Sequence, residues 1–306
     1  MLPPGIFLWE PEDEALPGGA SLENSGPLTQ NWEEGLALCG EWADPLEMPG
    51  IGRFRQASKE CETTIVIVGR CFSTMEAARL LYEQGAVGEW GSVVALTQTG
   101  GRGQLRRPWS SPPGNLFASV VLPKAPTESE WSTAYGKLLP LLCGYMIAEI
   151  LGEQGAQLEV KWPNDLLQND RKVGGMLIES KKEVDILGLG INLIESPSDS
   201  LMREDRSVPA GIMQTGRGVP TTVGMWHTLV NRWKKMYIVL LGELKPPQFV
   251  SAMLPRLAWL GRRILVHERE GLSFQAEIIG ISPEGGLVVR RPEGEGVLFS
   301  GSIIPL

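Results

Sequence analysis

The sequence predicts an α/β domain followed by a small β-barrel, and three observations carry that prediction. Strand-like β-branched runs alternate with helix-length runs from Thr63 to about residue 257. After Leu260-Gly261 the texture changes to short β runs separated by Gly, Pro and charges over about fifty residues, which suits a small barrel. A chain of 306 residues with 42% hydrophobic content is long enough for one full domain and a smaller one.

In chain order, residues 1–60 are rich in Pro, Gly, Glu and Asp, with Trp9, Trp32 and Trp42 scattered among them. They read as an acidic, irregular leader with one short helix at 31–39 and no basic helix pair of the kind that reads DNA. Thr64-Ile65-Val66-Ile67-Val68 is a strand; Ser73-Thr74-Met75-Glu76 then opens a helix that runs to Gln84 and is closed by Gly85. Strands follow at 92–97 and, after the Pro112-Pro113-Gly114 turn, at 116–122. A long helix is predicted at 131–154, short apolar runs at 158–161, 173–179 and 185–191, and helices at 222–241 and 247–254. The barrel strands are expected at 263–268, 274–281, 286–290 and 297–304. Domain boundaries follow at 1–60, 61–257 and 258–306.

A formal charge of −8 argues against a nucleic-acid partner, because such affinity depends on neutralising many phosphates. Any anion site must be a local concentration of charge. The four cysteines form no C-x-x-C pair and are too sparse for a disulfide framework. Met1-Leu2-Pro3-Pro4 lacks the basic start of a secretory signal, and Leu138 to Leu151, interrupted by Pro140 and Glu149, falls short of the ~20 residues that span a bilayer. A cytoplasmic protein without a membrane partner is expected. Two histidines, His227 and His267, in unrelated contexts make a histidine metal centre or a Ser-His-Asp triad a poor expectation.

Positive charge and bare backbone are concentrated in one stretch, "TQTGGRGQLRRPW", residues 97–109. Its glycines admit close approach of a ligand to backbone N–H groups, and Arg102 offers a planar fork to a phosphate or carboxylate. It matches neither standard nucleotide fingerprint, and a glycine-rich hairpin with solvated arginines is the alternative. A second stretch, Lys161-Trp162-Pro163-Asn164-Asp165, sets a cation, an aromatic, a turn, an amide and a carboxylate in five positions. Asp165 has the oxygen chemistry Mg²⁺ prefers, whereas a plain turn with a solvated lysine is the structural alternative. Asp170-Arg171-Lys172 then heads an apolar strand, and "LGLGIN" at 187–192 is a strand interrupted by glycines, which implies that something lies close against it.

Taken together, Ser73-Thr74 opening a helix, Gln98 before Gly101-Arg102-Gly103, the K-W-P-N-D run, Arg171-Lys172 and Gly188-x-Gly190-Ile191-Asn192 resemble biotin protein ligases, in the same order along the chain. The resemblance covers roughly residues 63–306 and is to the monofunctional type without a DNA-binding domain; the leader finds no counterpart. It implies a mixed sheet with helices in a class II synthetase-like catalytic domain, here 61–257, and an SH3-like C-terminal domain.

The resemblance further implies that biotin and ATP form biotinyl-5′-AMP, with Mg²⁺ assisting, and that the biotinyl group then passes to one lysine of a biotin carboxyl carrier domain of a biotin-dependent carboxylase. Like charges at ~4 Å cost on the order of 4 kcal/mol at an effective dielectric of about 20, so bringing a carboxylate to a polyphosphate requires fixed cations. By resemblance, Arg102, Lys172 and Asp165 are the catalytic set, with Asp165 as the magnesium ligand. Biotin falls to Ser73, Thr74, Gln98, Gly101, Arg102, Lys172, Gly188 and Gly190, the last two leaving room for the bicyclic ring. ATP and the adenylate fall to Gly103, Gln104, Arg106, Arg107, Trp109, Asn164 and Asn192. Two alternatives stay beside these: Ser73 also fits a helix capping box, and Trp109 could anchor the loop by packing. A monomer or a homodimer is equally compatible.

The chain departs from the family pattern in two places. In many relatives the loop reads G-R-G-R-x-G-R, whereas Gln104 here replaces an arginine and Arg106 a glycine; the usual S-T-N is Ser73-Thr74-Met75. Glutamine keeps donors but loses charge, so weaker retention of the adenylate is expected unless Arg106 or Arg107 compensates. The rival readings are a lipoate or octanoyl transferase, against which K-W-P-N-D and the G-R-G loop speak, a regulator that binds biotinyl-AMP without catalysis, and an inactive homologue.

Overall fold

The apolar run Ile6-Phe7-Leu8-Trp9 is a strand within the acidic leader. In the computed structural model, which describes all residues except 14, 105–106, 182–183, 199–207, 217 and 269–271, the leader contributes β1 (Gly5–Pro11), α1 (Gln30–Ala37), β2 (Leu46–Met48) and β3 (Gly52–Gln56). Composition alone reads this segment as irregular. What overrides composition is burial: Ile6, Phe7 and Trp9 are at most 2% exposed, and Trp9 stacks on Phe54 of β3 at 5.9 Å. Burying such a side chain contributes about 1.5–3 kcal/mol, enough to order a segment otherwise rich in turn residues.

The chain divides into two compact units. The first comprises Met1–Lys124, Gly174–Glu195 and Ile212–Lys234. To the leader it adds β4 (Thr64–Cys71), α2 (Thr74–Glu83), β5 (Ser92–Gln98), β6 (Leu116–Val121), most of β9 (Arg171–Lys181) and β10 (Val184–Ile191). Its strands run in the order β2-β3-β1-β4-β5-β6-β10-β9. Pairing of β4 with β1 and with β5 is parallel, whereas β5–β6, β6–β10 and β10–β9 are antiparallel. The near-continuous apolar run of β4 suits a strand covered on both faces. The leader is therefore part of this sheet and not a separate irregular segment. Its helix is fastened as well: Asn31 donates through Nδ2 to the Gly114 carbonyl at 2.8 Å and to Thr222 Oγ1 at 3.0 Å.

The second unit comprises Ala125–Val173, Ser196–Gly211 and Lys235–Leu306. It contains α3 (Trp131–Gly152), β7 (Glu159–Lys161), β8 (Asp165–Gln168), the head of β9, α5 (Pro246–Met253) and strands β11 (Arg263–His267), β12 (Ser273–Ile281), β13 (Leu287–Arg291), β14 (Gly294–Leu298) and β15 (Ser302–Pro305); α4 (Thr222–Glu243) passes from the first unit into it. Strands β11–β15 form a separate antiparallel sheet in the order β14-β13-β12-β11-β15. The expected single run at 297–304 is two strands, divided at Gly301, whose φ of +136° favours glycine. Helix α3 is long and apolar enough to cross a membrane, but Leu138, Leu142, Met146 and Ile147 are fully buried inside the protein, which makes it a core helix.

Candidate active site

Thr74 and Gln98 are joined directly in the first unit. Helix α2 begins at Thr74 because Ser73, with extended backbone, accepts a hydrogen bond from the Met75 N–H at 3.3 Å. That places Thr74 beside the end of β5, where its N–H donates to Gln98 Oε1 at 2.8 Å and its hydroxyl donates to the same oxygen at 3.2 Å. Two serines extend the network. Ser119 Oγ lies 2.7 Å from Thr74 Oγ1, and Gln98 donates through Nε2 to Ser111 Oγ at 3.2 Å. The sequence reading did not single these serines out. Ser119 was findable, since it is a polar residue inside the buried apolar strand Leu116–Val121, where a polar side chain needs a partner.

Ser73 thus acts as the helix cap, and this has a measurable consequence. Ser73→Ala is expected to cost about 1 kcal/mol of unfolding free energy. Urea denaturation midpoints of the two proteins test this, and equal midpoints would remove the cap from the account.

The two arms of the glycine loop are tied to each other through the backbone. Trp109 N–H donates to the Gly101 carbonyl at 2.8 Å and Gly103 N–H to the Arg107 carbonyl at 2.8 Å. A Cβ on Gly101 would meet Ser111 Oγ at 2.9 Å and Gln98 Nε2 at 3.0 Å, whereas one on Gly103 would meet open space. Arg102 is engaged by protein carboxylates: its Nη2 is 3.0 Å from Glu76 Oε1 and its Nε 3.6 Å from Glu179 Oε1. Glu179 also pairs with the nearly buried Arg79 at 3.5 Å. Gln104 and Arg107 are exposed, and Arg106 lies outside the described residues.

The glycines of β10 admit side chains of the protein itself. A Cβ on Gly188 would come within 2.9 Å of the Met75 thioether, and one on Gly190 within 2.6 Å of the Trp109 indole. Met75 and Trp109 thus lie against the strand where the glycines are expected to admit a ligand ring. The methionine that replaces the usual asparagine supplies this packing, and Trp109 anchors the loop. Asn192 is buried at the end of β10, its carbonyl accepting from the Met213 N–H at 2.8 Å.

Charge is concentrated in the second unit. Strands β7 and β8 pair antiparallel with Lys161 opposite Asp165, joined through a cis Trp162–Pro163 peptide. Asp165 Oδ2 accepts from Lys161 Nζ at 3.0 Å, and Lys172 Nζ lies 2.6 Å from Oδ1. The side chains of Lys161, Asp165 and Lys172 are only 10%, 15% and 25% exposed. Burial by itself would raise the Asp165 pKa, but the two ammonium groups outweigh it and hold the carboxyl well below the usual carboxylate range. Lys172 is fixed from the backbone as well, its N–H donating to the Pro209 carbonyl at 2.8 Å. Asn164 sits partly exposed in the same turn.

Both oxygens of Asp165 are thus bound by lysines, and among the described residues no group of three or more His, Cys, Asp or Glu could hold a metal. Asp165 does not fit a protein-held magnesium ion, and the metal expectation for it is corrected on that ground. A carboxylate saturated by two ammonium groups is a lysine anchor.

Residues 70–193 match the biotin/lipoate A/B protein ligase family. A biotin--[acetyl-CoA-carboxylase] ligase of Paracoccus denitrificans is 29% identical over 69% of this chain and 88% of its own length. Biotin--protein ligase 2 of Arabidopsis thaliana is 30% identical over 70% of this chain and 69% of its own length. The chain belongs to the biotin protein ligase family. The fold agrees: a biotin protein ligase from Aquifex aeolicus in complex with biotin and ATP superposes with a TM-score of 0.62 at 24% identity, covering 79% of this chain and 97% of that one. In this family member the K-W-P-N-D lysine, its aspartate and Lys172 form one charge cluster, and Thr74, Gln98, Ser111 and Ser119 form one polar network.

Proposed function

We propose that the chain is an ATP-dependent ligase that activates biotin as biotinyl-5′-AMP and transfers the biotinyl group to a specific lysine of a biotin carboxyl carrier domain. The single observation that carries this reading is the arrangement of Lys161, Asp165 and Lys172: one carboxylate fixes two ammonium groups in a place with little solvent. Cations held in position before a ligand arrives stabilise developing negative charge without reorganisation. An ATP α-phosphate is an anion of that kind.

In the first step a carboxylate oxygen of biotin attacks the α-phosphorus and the bond to pyrophosphate breaks. In the second, a carrier lysine, deprotonated at Nζ, attacks the mixed-anhydride carbonyl and AMP leaves. Lys172 offsets the charge that builds on the α-phosphate, and Arg102 does the same for the biotin carboxylate once it exchanges Glu76 and Glu179 for the ligand. Thr74, Gln98, Ser111 and Ser119 supply donors and acceptors suited to the ureido ring, and Met75 an apolar wall. The site of action is cytoplasmic, where ATP is supplied and where four cysteines without a disulfide remain reduced.

Incubation of the full chain with ATP, Mg²⁺, biotin and a carrier domain, followed by intact mass of the carrier, tests the whole reading. A biotinyl mass increment is expected; its absence together with a lipoyl increment when lipoate replaces biotin would reassign the substrate. The exposed Gln104 gives a further expected outcome. Gln104→Arg restores a cation at the loop and should slow release of biotinyl-AMP by about tenfold, the worth of one charge-assisted bond of ~1.4 kcal/mol. An off-rate equal to that of the parent would refute it.

A further inference from the structure

The turn between β8 and β9 is made of Asn169 and Asp170, both in the left-handed region with φ of +52° and +57°. Two consecutive positive φ values are what a tight two-residue hairpin turn demands, and its second position favours glycine. An aspartate there forgoes that conformational advantage, so its side chain should have work of its own.

That side chain is gripped. Trp259 donates through Nε1 to Asp170 Oδ1 at 2.6 Å, and Arg262 Nη1 lies 3.1 Å from both carboxylate oxygens. Trp259 itself has φ +63°, uncommon for a bulky residue, and it is only 2% exposed. Strained backbone on both sides of one short hydrogen bond persists only where the surroundings over-determine it. The gripping segment belongs to the C-terminal sheet: Gly261 N–H donates to the Ile278 carbonyl at 2.8 Å and Ile278 N–H to the Arg262 carbonyl at 3.1 Å. A second indole bond runs the other way, from Trp162 Nε1 to the Gly285 carbonyl at 2.9 Å. The hairpin that carries Lys161, Asp165 and Lys172 is therefore held to the C-terminal sheet at both of its turns.

We infer that Asp170 is a positioning residue, through which Trp259 and Arg262 of the C-terminal domain set the place of Lys172 two residues along the chain. This rests on the proposed ligase reading for its kinetic consequence, and on geometry alone for its structural one. The C-terminal sheet then takes part in adenylate formation. The Arg262 contact is half-exposed and weak by itself, so the indole bond carries most of the grip.

The informative variant is Asp170→Gly in the full chain, because glycine suits the turn and removes only the grip. Biotin-dependent pyrophosphate exchange should lose about 10- to 100-fold in kcat while KM for biotin stays within about twofold, as expected when a reacting group is displaced by the order of 1 Å. Asp170→Asn keeps an acceptor for the indole and should recover most of that loss. Trp259→Phe should reproduce it, and the double variant should be no worse than either single one. Exchange at the parent rate in Asp170→Gly, or losses that multiply in the double variant, overturns the inference. Should the parent fail to activate biotin at all, the ligase reading falls, and hydrogen exchange at the Lys172 amide decides the clamp instead: faster exchange in Asp170→Gly supports it, and unchanged exchange overturns it.

Discussion

Lys172→Ala lowers biotin-dependent pyrophosphate exchange by about 10²–10³-fold, the usual cost of removing one preorganised donor from a developing oxyanion. Removing Lys172 leaves Asp165 paired with Lys161 at 3.0 Å, so only part of what holds the carboxylate ionised is lost. Rates are compared under conditions where the unfolding curve shows the variant folded, so that a loss of rate cannot be assigned to unfolding. Lys172→Arg is not expected to rescue, since a planar fork cannot replace a point charge whose Nζ already sits 2.6 Å from Asp165. Near-normal exchange in Lys172→Ala would remove Lys172 from the chemistry and with it the main support for the ligase mechanism.

Much of this site was legible in the sequence because its parts are local. Ser73-Thr74-Met75-Glu76 reads as a helix start from the capping pattern alone, and α2 begins at Thr74. Gly101 reads as a position of close backbone approach, and the space around its missing Cβ is filled by Ser111, Gln98 and Trp109. The spacing of Lys161, Asp165 and Lys172 is local too: a hairpin at 165–172 folds Lys172 back toward Asp165, and β8 and β9 are sheet neighbours. What a linear reading missed was the consequence, that both lysines would saturate the carboxylate and leave it unsuited to a metal.

The rest depended on tertiary partners that no window of sequence contains. Strand β1 was hidden because its turn-rich surroundings dominate the composition, while its order comes from β4, some sixty residues later, with Ile6 opposite Ile65 and Phe7 opposite Val66. Likewise Gly188 and Gly190 announce close approach but not of what, and the answer came from Met75 on α2 and Trp109 on the loop. Asp170 was seen only as part of a charged run before a strand. Its role is set by Trp259 and Arg262, residues that sequence texture assigns to a different domain.

Asp165→Asn should be the most destabilising single change in the charge cluster. The two ammonium groups would then face a neutral amide with their side chains only 10% and 25% exposed, and breaking a pair of this kind costs about 3–5 kcal/mol when fully buried. The partial exposure of Lys172 places the expected loss near the lower end, about 3 kcal/mol. Its pH dependence has a definite sign. The folded pKa of Asp165 is depressed below the unfolded one by Lys172 first and Lys161 second, so its contribution is complete above the ordinary carboxylate range and disappears as pH falls through the depressed folded value. The stability gap between parent and variant should therefore be widest at neutral pH and close progressively below about pH 4. Urea unfolding of both proteins from pH 7 to pH 2 measures it. A gap that stays constant over that range would mean that the variant loses packing or geometry instead of charge, and that the carboxylate is not what holds the two lysines in place.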